Sequence, residues 1–203
     1  TSGTSGVDGI SSGRNYYFNQ SIPSDVSPYR QLADSPTGVA QQDVTTNLTA
    51  LQQNVLVSEF LTPQLGVAVI PGGNQTFHFH FLKQASANNL EAYATIQLAN
   101  SSGVAIGPLI TTGVSTIGWV DAVTPSEVIC DLTLTTTTID PTNRMIVKIY
   151  VNNLDNQSRI MNWFTEGTQY YSFVVTSLGT VSGTSGTSGT NGTSGTDGTS
   201  GTN

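Results

Sequence analysis

Glycine stands at every third position through the last twenty-one residues of this chain: Gly183, Gly186, Gly189, Gly192, Gly195, Gly198 and Gly201. The same phase opens the chain at Gly3, Gly6 and Gly9. A strict Gly-X-Y period is the mark of a collagen-type triple helix. Three polyproline-II-like strands share one axis there, and only a hydrogen atom fits where each meets it. A single chain cannot build that structure, so the repeat predicts a homotrimer with elongated ends. A flexible Gly/Ser/Thr linker has no reason to keep its glycines in phase. The triplets hold no proline, which would pre-set φ near the required value. The triple helix is therefore expected to lean on folded trimeric domains, or on sugars carried by threonine. Fully formed, the tract 183–203 would extend roughly 65 Å, at about 3.1 Å per residue.

The repeats divide the chain into collagen-like tracts at 1–9 and 183–203 and one domain at 10–182, long enough to bury its own core. Only 9% of residues are charged, and the net charge is −7 with six Lys+Arg. Nucleic acid is not an expected partner, because phosphate contacts need clustered cations. No apolar run approaches the roughly 20 residues that span a bilayer, so membrane insertion is not expected either. Both ends read as cuts through a longer periodic fibre. Cys130 is the sole cysteine, which leaves no intramolecular disulfide and makes it a small buried hydrophobe.

Period-2 alternation marks the middle as all-β. In Gln75–Leu82 the residues Phe77, Phe79 and Phe81 share one face, and His78 and His80 the other. Similar alternation runs through Glu91–Leu98, Glu127–Leu134 and Arg144–Val151. Further strands are expected at Asn15–Asn19, Asn54–Leu61, Val67–Ile70, Arg159–Phe164 and Gln169–Thr176. The separators are turn-rich, as in Pro71-Gly72-Gly73-Asn74 and Asp140-Pro141-Thr142-Asn143. Eight or nine such strands without a helical period predict an antiparallel, jelly-roll-like β-sandwich. Ser21–Gln53 reads as a long ordered loop or arm. With a repeat on each side, the domain reads as threaded on the fibre, as a bead or node and not a free terminal knob.

Five stretches carry a resemblance: RNYYFNQS at 14–21, VLVSEFLTP at 55–63, VAVIPGGNQTFHFHF at 67–81, TNRMIVKIYVNN at 142–153 and MNWFTEGTQYYSFVVTSL at 161–178. Together they resemble a β-rich domain found beside Gly-X-Y repeats in structural proteins of tailed phages and large DNA viruses. Asn143 stands where that pattern has Asp, and Phe173 where it often has His. The resemblance implies a fibre or appendage on a virion surface and supplies no catalytic residues.

Chemistry-bearing groups are sparse. His78 and His80, the only histidines, are spaced to share a metal or to form rings on a trimer axis; an outward polar pair is the ordinary reading, and no metal or cofactor is assigned. Asp25, Asp34, Asp43, Asp121, Asp131, Asp140 and Asp155 form no Asp-x-Asp-x-Asp-Gly calcium loop and read as turn caps. No Gly-x-Ser-x-Gly elbow occurs, and the chain is not expected to be an enzyme. Sequons place candidate glycosylation at Asn19, Asn47, Asn74, Asn100, Asn156 and Asn191. Trp119, Trp163, Tyr170 and Tyr171 are aromatic groups able to stack on sugars or pack a core.

The sequence thus predicts a structural subunit of a trimeric extracellular fibre, its β domain holding three chains in register. Its partners would be copies of itself, other fibre subunits or a host surface glycan. The alternatives are a glycan-binding receptor module, with Ala99–Gly103 or Asn152–Asn156 as recognition loops, and a cellular collagen-like surface filament.

Overall fold

The structure, a computed structural model, describes residues 13–179. The Gly-X-Y tracts with all their glycines, Asn191 and the outermost residues of the 10–182 domain lie outside the described residues. No helix occurs among those described. The strands are β1 (Asn15–Pro23), β2 (Arg30–Ala33), β3 (Gln42–Leu48), β4 (Val55–Leu61), β5 (Val69–Ile70), β6 (Gly73–Lys83), β7 (Leu90–Ala99) and β8 (Ala105–Thr111). They continue with β9 (Ser115–Thr116), β10 (Ser126–Leu134), β11 (Thr137–Thr138), β12 (Arg144–Asn153), β13 (Arg159–Thr165) and β14 (Phe173–Val175).

Alternation decides where each strand turns its side chains. In β6, Phe77, Phe79 and Phe81 are fully buried while the residues between them are half-buried. In β10, Val128, Cys130 and Leu132 face inward, between exposed Glu127, Ile129, Asp131 and Thr133. β12 is hidden along most of its length, which fits its place between β4 and β7. One core results. Its aromatic centre is Phe18 against Phe60, Phe79 and Trp163, with ring centroids 4.9, 5.6 and 5.9 Å apart. Burying that much aromatic area is the main term holding such a domain together.

The main sheet runs β3-β13-β6-β14-β1-β2-β4-β12-β7-β8, with β10 added on β6 and β9 on β7. Although β10 and β7 lie far apart along this path, they meet in space. The Cys130 thiol donates to the Ala92 carbonyl at 3.5 Å. Nearby, the Gly113 N–H reaches the Asp131 carbonyl at 3.1 Å and the Ser115 hydroxyl the Ile129 carbonyl at 2.6 Å. The sheet therefore curls back on itself around the core. β1 makes the passage between its halves, pairing β14 through Asn15–Tyr17 and then β2 through Tyr17–Asn19.

Two expectations change. The sheet is mixed, because Arg30 and Gln31 of β2 pair in parallel with Phe60 and Leu61 of β4. The β1–β2 turn, closed by the Ser24 N–H on the Tyr29 carbonyl at 2.9 Å, carries β2 onto that free edge. Within Ser21–Gln53, expected as loop or arm, lie β2 and β3. β2 is only four residues long, and the inner face of β3 holds Gln42 and Thr46 beside Val44 and Leu48, so neither shows a clean apolar alternation. All nine expected strands are present.

Candidate functional site

The outer face of β6 carries the histidines. The His78 ring lies flat on Phe173 of β14, with centroids 4.5 Å apart and planes 11° apart. Its Nδ1 stands 2.8 Å from Glu127 Oε1 of β10. His80 lies 5.7 Å from Tyr170, and its Nδ1 is buried without a hydrogen-bond partner. Burial lowers the proton affinity of His80; the Glu127 charge opposes this and His78 adds to it slightly. Tyr17 continues the surface, 5.3 Å from Tyr171 and 6.0 Å from Phe173. The result is a half-buried ribbon of imidazole and aromatic rings. No group of three or more His, Cys, Asp or Glu side chains converges among the described residues.

A second surface lies on the other half of the sheet. Register places Tyr93 of β7 opposite Tyr150 of β12, and their rings stack at 5.1 Å and 11°. The Tyr93 hydroxyl donates to Asn54 Oδ1 at 2.7 Å, and Asn152 Oδ1 accepts the Asn54 N–H at 2.8 Å. Thr95, Thr111, Leu109 and Val114 complete an open groove of about 570 Å³. Burial, and then the neighbouring Tyr150, raises the Tyr93 hydroxyl above its ordinary value. Stacked phenols beside amides and hydroxyls offer the mix of apolar face and hydrogen-bonding edge that a sugar ring requires. The sequence signal for this groove was an aromatic residue on the polar face of each strand; their pairing was not visible without register.

Other candidate residues fall elsewhere. Trp163 is fully buried and donates Nε1–H to Ser172 Oγ at 3.1 Å, so it is a core residue. Trp119 is half-buried in the loop after β9. Tyr171 donates to Asn19 Oδ1 at 2.7 Å and accepts the Thr37 N–H at 2.9 Å. Asn19 is 2% exposed and also donates to Gln31 and Ser35; the folded domain has no room for a glycan there, which corrects that candidate. Asn47, Asn74 and Asn156 are exposed, and Asn100 is half-buried.

The proposed recognition loops spend their amides internally. Asn100 Oδ1 accepts from Ser102 and Val104 N–H, and Asn153 Nδ2 donates to the Thr49 and Gln157 carbonyls. Asp121 and Asp140 cap turns, on Val123 and Thr124 and on Thr142 respectively. Asp43 takes the Asn162 amide across to β13. One polar cluster went unseen in the sequence. Glu166 is fully buried, and its carboxylate accepts from the Ser21 backbone and hydroxyl and from Thr37 Oγ1. This ties segment 21–37 to the β13–β14 turn.

No family model and no curated protein matches the chain. Among solved structures, its fold is similar to part of a CocE/NonD family hydrolase from Staphylococcus aureus. The TM-score is 0.53 at 11% identity, over 82% of this chain and 36% of that one. A carbohydrate-binding module is similar at TM-score 0.33 and 15% identity, over 65% of this chain and 56% of the module. The structure of infectious bursal disease virus, Gx strain, is similar at TM-score 0.29 and 12% identity, over 74% and 39%.

This chain thus spans about a third of the hydrolase's length. The likeness overturns the expectation that the chain is not an enzyme, since a similar fold is part of a hydrolase chain. A missing Gly-x-Ser-x-Gly elbow was too narrow a ground for exclusion, because chemistry resides in sites that a fold carries and not in the fold itself. At this identity the likeness extends to the fold.

Proposed function

We propose that this protein is a structural subunit of a trimeric fibre on a virion surface, with the Gly-X-Y tracts as stiff spacers and the β domain, a jelly-roll-like sandwich, holding three chains in register. The carrying observation is the unbroken phase of glycine from Gly183 to Gly201, the period that a three-stranded collagen-type assembly uses. The resemblance of residues 14–178 to domains beside such repeats in phages and large DNA viruses supports it. A folded trimeric domain beside the repeat lowers the cost of bringing three strands together, which proline-free triplets cannot meet alone.

The geometry narrows one part of the picture. The Arg14 N–H donates to the Leu178 carbonyl at 2.8 Å, and the Thr176 N–H to the Arg14 carbonyl at 2.9 Å. The chain therefore joins and leaves the domain at one place. Of a bead and a node, these adjoining points favour the node. The test is sedimentation mass together with circular dichroism of the full chain. A trimer with a polyproline-II signature that melts cooperatively is expected, and a monomer without that signature would overturn the reading.

A second reading rests on the Tyr93–Tyr150 groove, which suits a pyranose ring. A glycan array that returns a binder lost on Tyr150→Ala would favour host attachment through this surface. An array without binders would remove it.

A further inference from the structure

β8 is an edge strand that pairs only with β7 among the described residues. Nearly all of it is exposed. Val104 is 60% exposed, Ile106 36% and Leu109 57%. No charged residue occurs between Glu91 and Asp121. Soluble proteins protect free edges with lysine, proline or a covering element. β8 has Pro108 in its middle, but it has no charge. Beside it opens an apolar cavity of about 210 Å³ lined by Ile96, Pro108, Ile110, Leu134, Met145 and Leu178.

Leu178 fixes where this surface sits. Its carbonyl is held by the Arg14 N–H, so the apolar edge and its cavity border the point from which both Gly-X-Y tracts depart. Tracts that assemble three to a rod bring three copies of this point around one axis. Each chain carries a net charge of −7, so copies repel over most of their surface. An uncharged apolar face beside the axis is where they can approach and remove hydrophobic area from water.

We infer that the β8 face and the cavity at Leu178 form the contact between copies of this chain in the trimer. The inference rests on the trimer reading above and names the surface that sets register. The register shift of β8 against Gln97–Ala99 and the positive φ of Gly107 interrupt the regular edge, so the contact is made by side chains. Around a three-fold axis the contact is heterologous, and β8 of one copy meets a different surface of the next.

The test is sedimentation of the full chain in three forms: unaltered, Val104→Asp/Ile106→Asp, and Ile160→Asp as a control on β13, where Ile160 is 43% exposed. The expected result is a trimer for the unaltered chain and the control. The double variant should weaken trimer formation by about 100-fold or more, as hot-spot losses do, with its strand dichroism retained. Should the double variant fail to fold, Ile106→Gln alone reads the β8 edge and is expected to weaken the trimer about tenfold. Variants that assemble as tightly as the unaltered chain would overturn the β8 contact and leave the trimer standing. A monomeric unaltered chain would overturn both.

Discussion

Asp25 and Arg144 form a two-pronged ion pair across 119 residues of sequence, with Nη1 on Oδ1 and Nη2 on Oδ2, both at 2.6 Å. The pair pins the β1–β2 turn to the start of β12. Val26 and Tyr29 pack beside it against Leu61, Ala99 and Ile146. The arginine side chain is 9% exposed and the aspartate 65%. The guanidinium holds the Asp25 carboxyl at about 2, against the opposing effect of burial and with a lesser contribution from the Ser24 hydroxyl.

Asp25→Asn should therefore destabilise the domain by about 1 kcal/mol at neutral pH, since an exposed partner limits even a bidentate pair. The folded form binds the Asp25 proton less readily than the unfolded chain does. The pair's contribution is thus full above pH 3.8 and fades as pH falls towards about 2. Urea unfolding of both proteins across this range should show the difference disappearing in acid. An unchanged gap there would contradict the assignment.

His80 gives a second pH window. Burial disfavours its charged form, so the unfolded chain takes up a proton near pH 6.5 that the folded domain resists. Stability is expected to be undiminished above that pH and to decline below it. Glu127, His78 and Tyr170 face the same ring, and of these the Glu127 charge partly offsets the loss. His80→Gln should flatten the decline between neutral pH and the carboxylate range, measured by thermal unfolding.

Gly103 adopts φ +77°, and a Cβ there would meet Val26 Cγ1 at 2.9 Å and Leu61 Cδ2 at 3.2 Å. Gly103→Ala combines left-handed strain with displacement of the β1–β2 turn. A loss of about 1–3 kcal/mol is expected from chemical denaturation. A neutral effect would mean that the turn does not pack on the β7–β8 connection.

Burial raises the Cys130 thiol above its ordinary value, outweighing hydrogen bonds from Ser115 and Thr112. A thiol reagent at neutral pH should leave the folded protein unmodified and label it fully in denaturant. Rapid labelling of folded protein would show that the junction of β10 with β7 opens readily.

Gly192→Val tests the tail. If the tract forms a triple helix, a side chain at the crowded axis loosens it locally. The expected outcome is a lower melting temperature for the polyproline-II signal and new protease cleavage near residue 192, with the β-domain transition unmoved. Unchanged melting and protease resistance would exclude the triple helix there.

Much of this architecture was legible because alternation is local. Phe77, Phe79 and Phe81 announce the buried face of β6, and the turn clusters around Gly72 and Pro141 announce the starts of β6 and β12. The strands overlooked were those whose stability comes from neighbours. β2 exists because β1 and β4 offer hydrogen bonds on both sides, and β3 because β13 lies beside it. The candidate sites divided in the same way. Both histidines were readable on one face of one strand, but Phe173 beneath His78 and Tyr150 against Tyr93 came from register between distant segments.

By itself the sequence determined an all-β domain with a phenylalanine-lined core and the glycine phase at its flanks, since both follow from periods of two and three residues. Tertiary structure alone decided that Arg14 and Leu178 adjoin, that Trp163 is core while Tyr93 borders a groove, and that β8 pairs only with β7 among the described residues. Those outcomes depend on pairing between separate segments, where topology selects the partners and no local period carries the information.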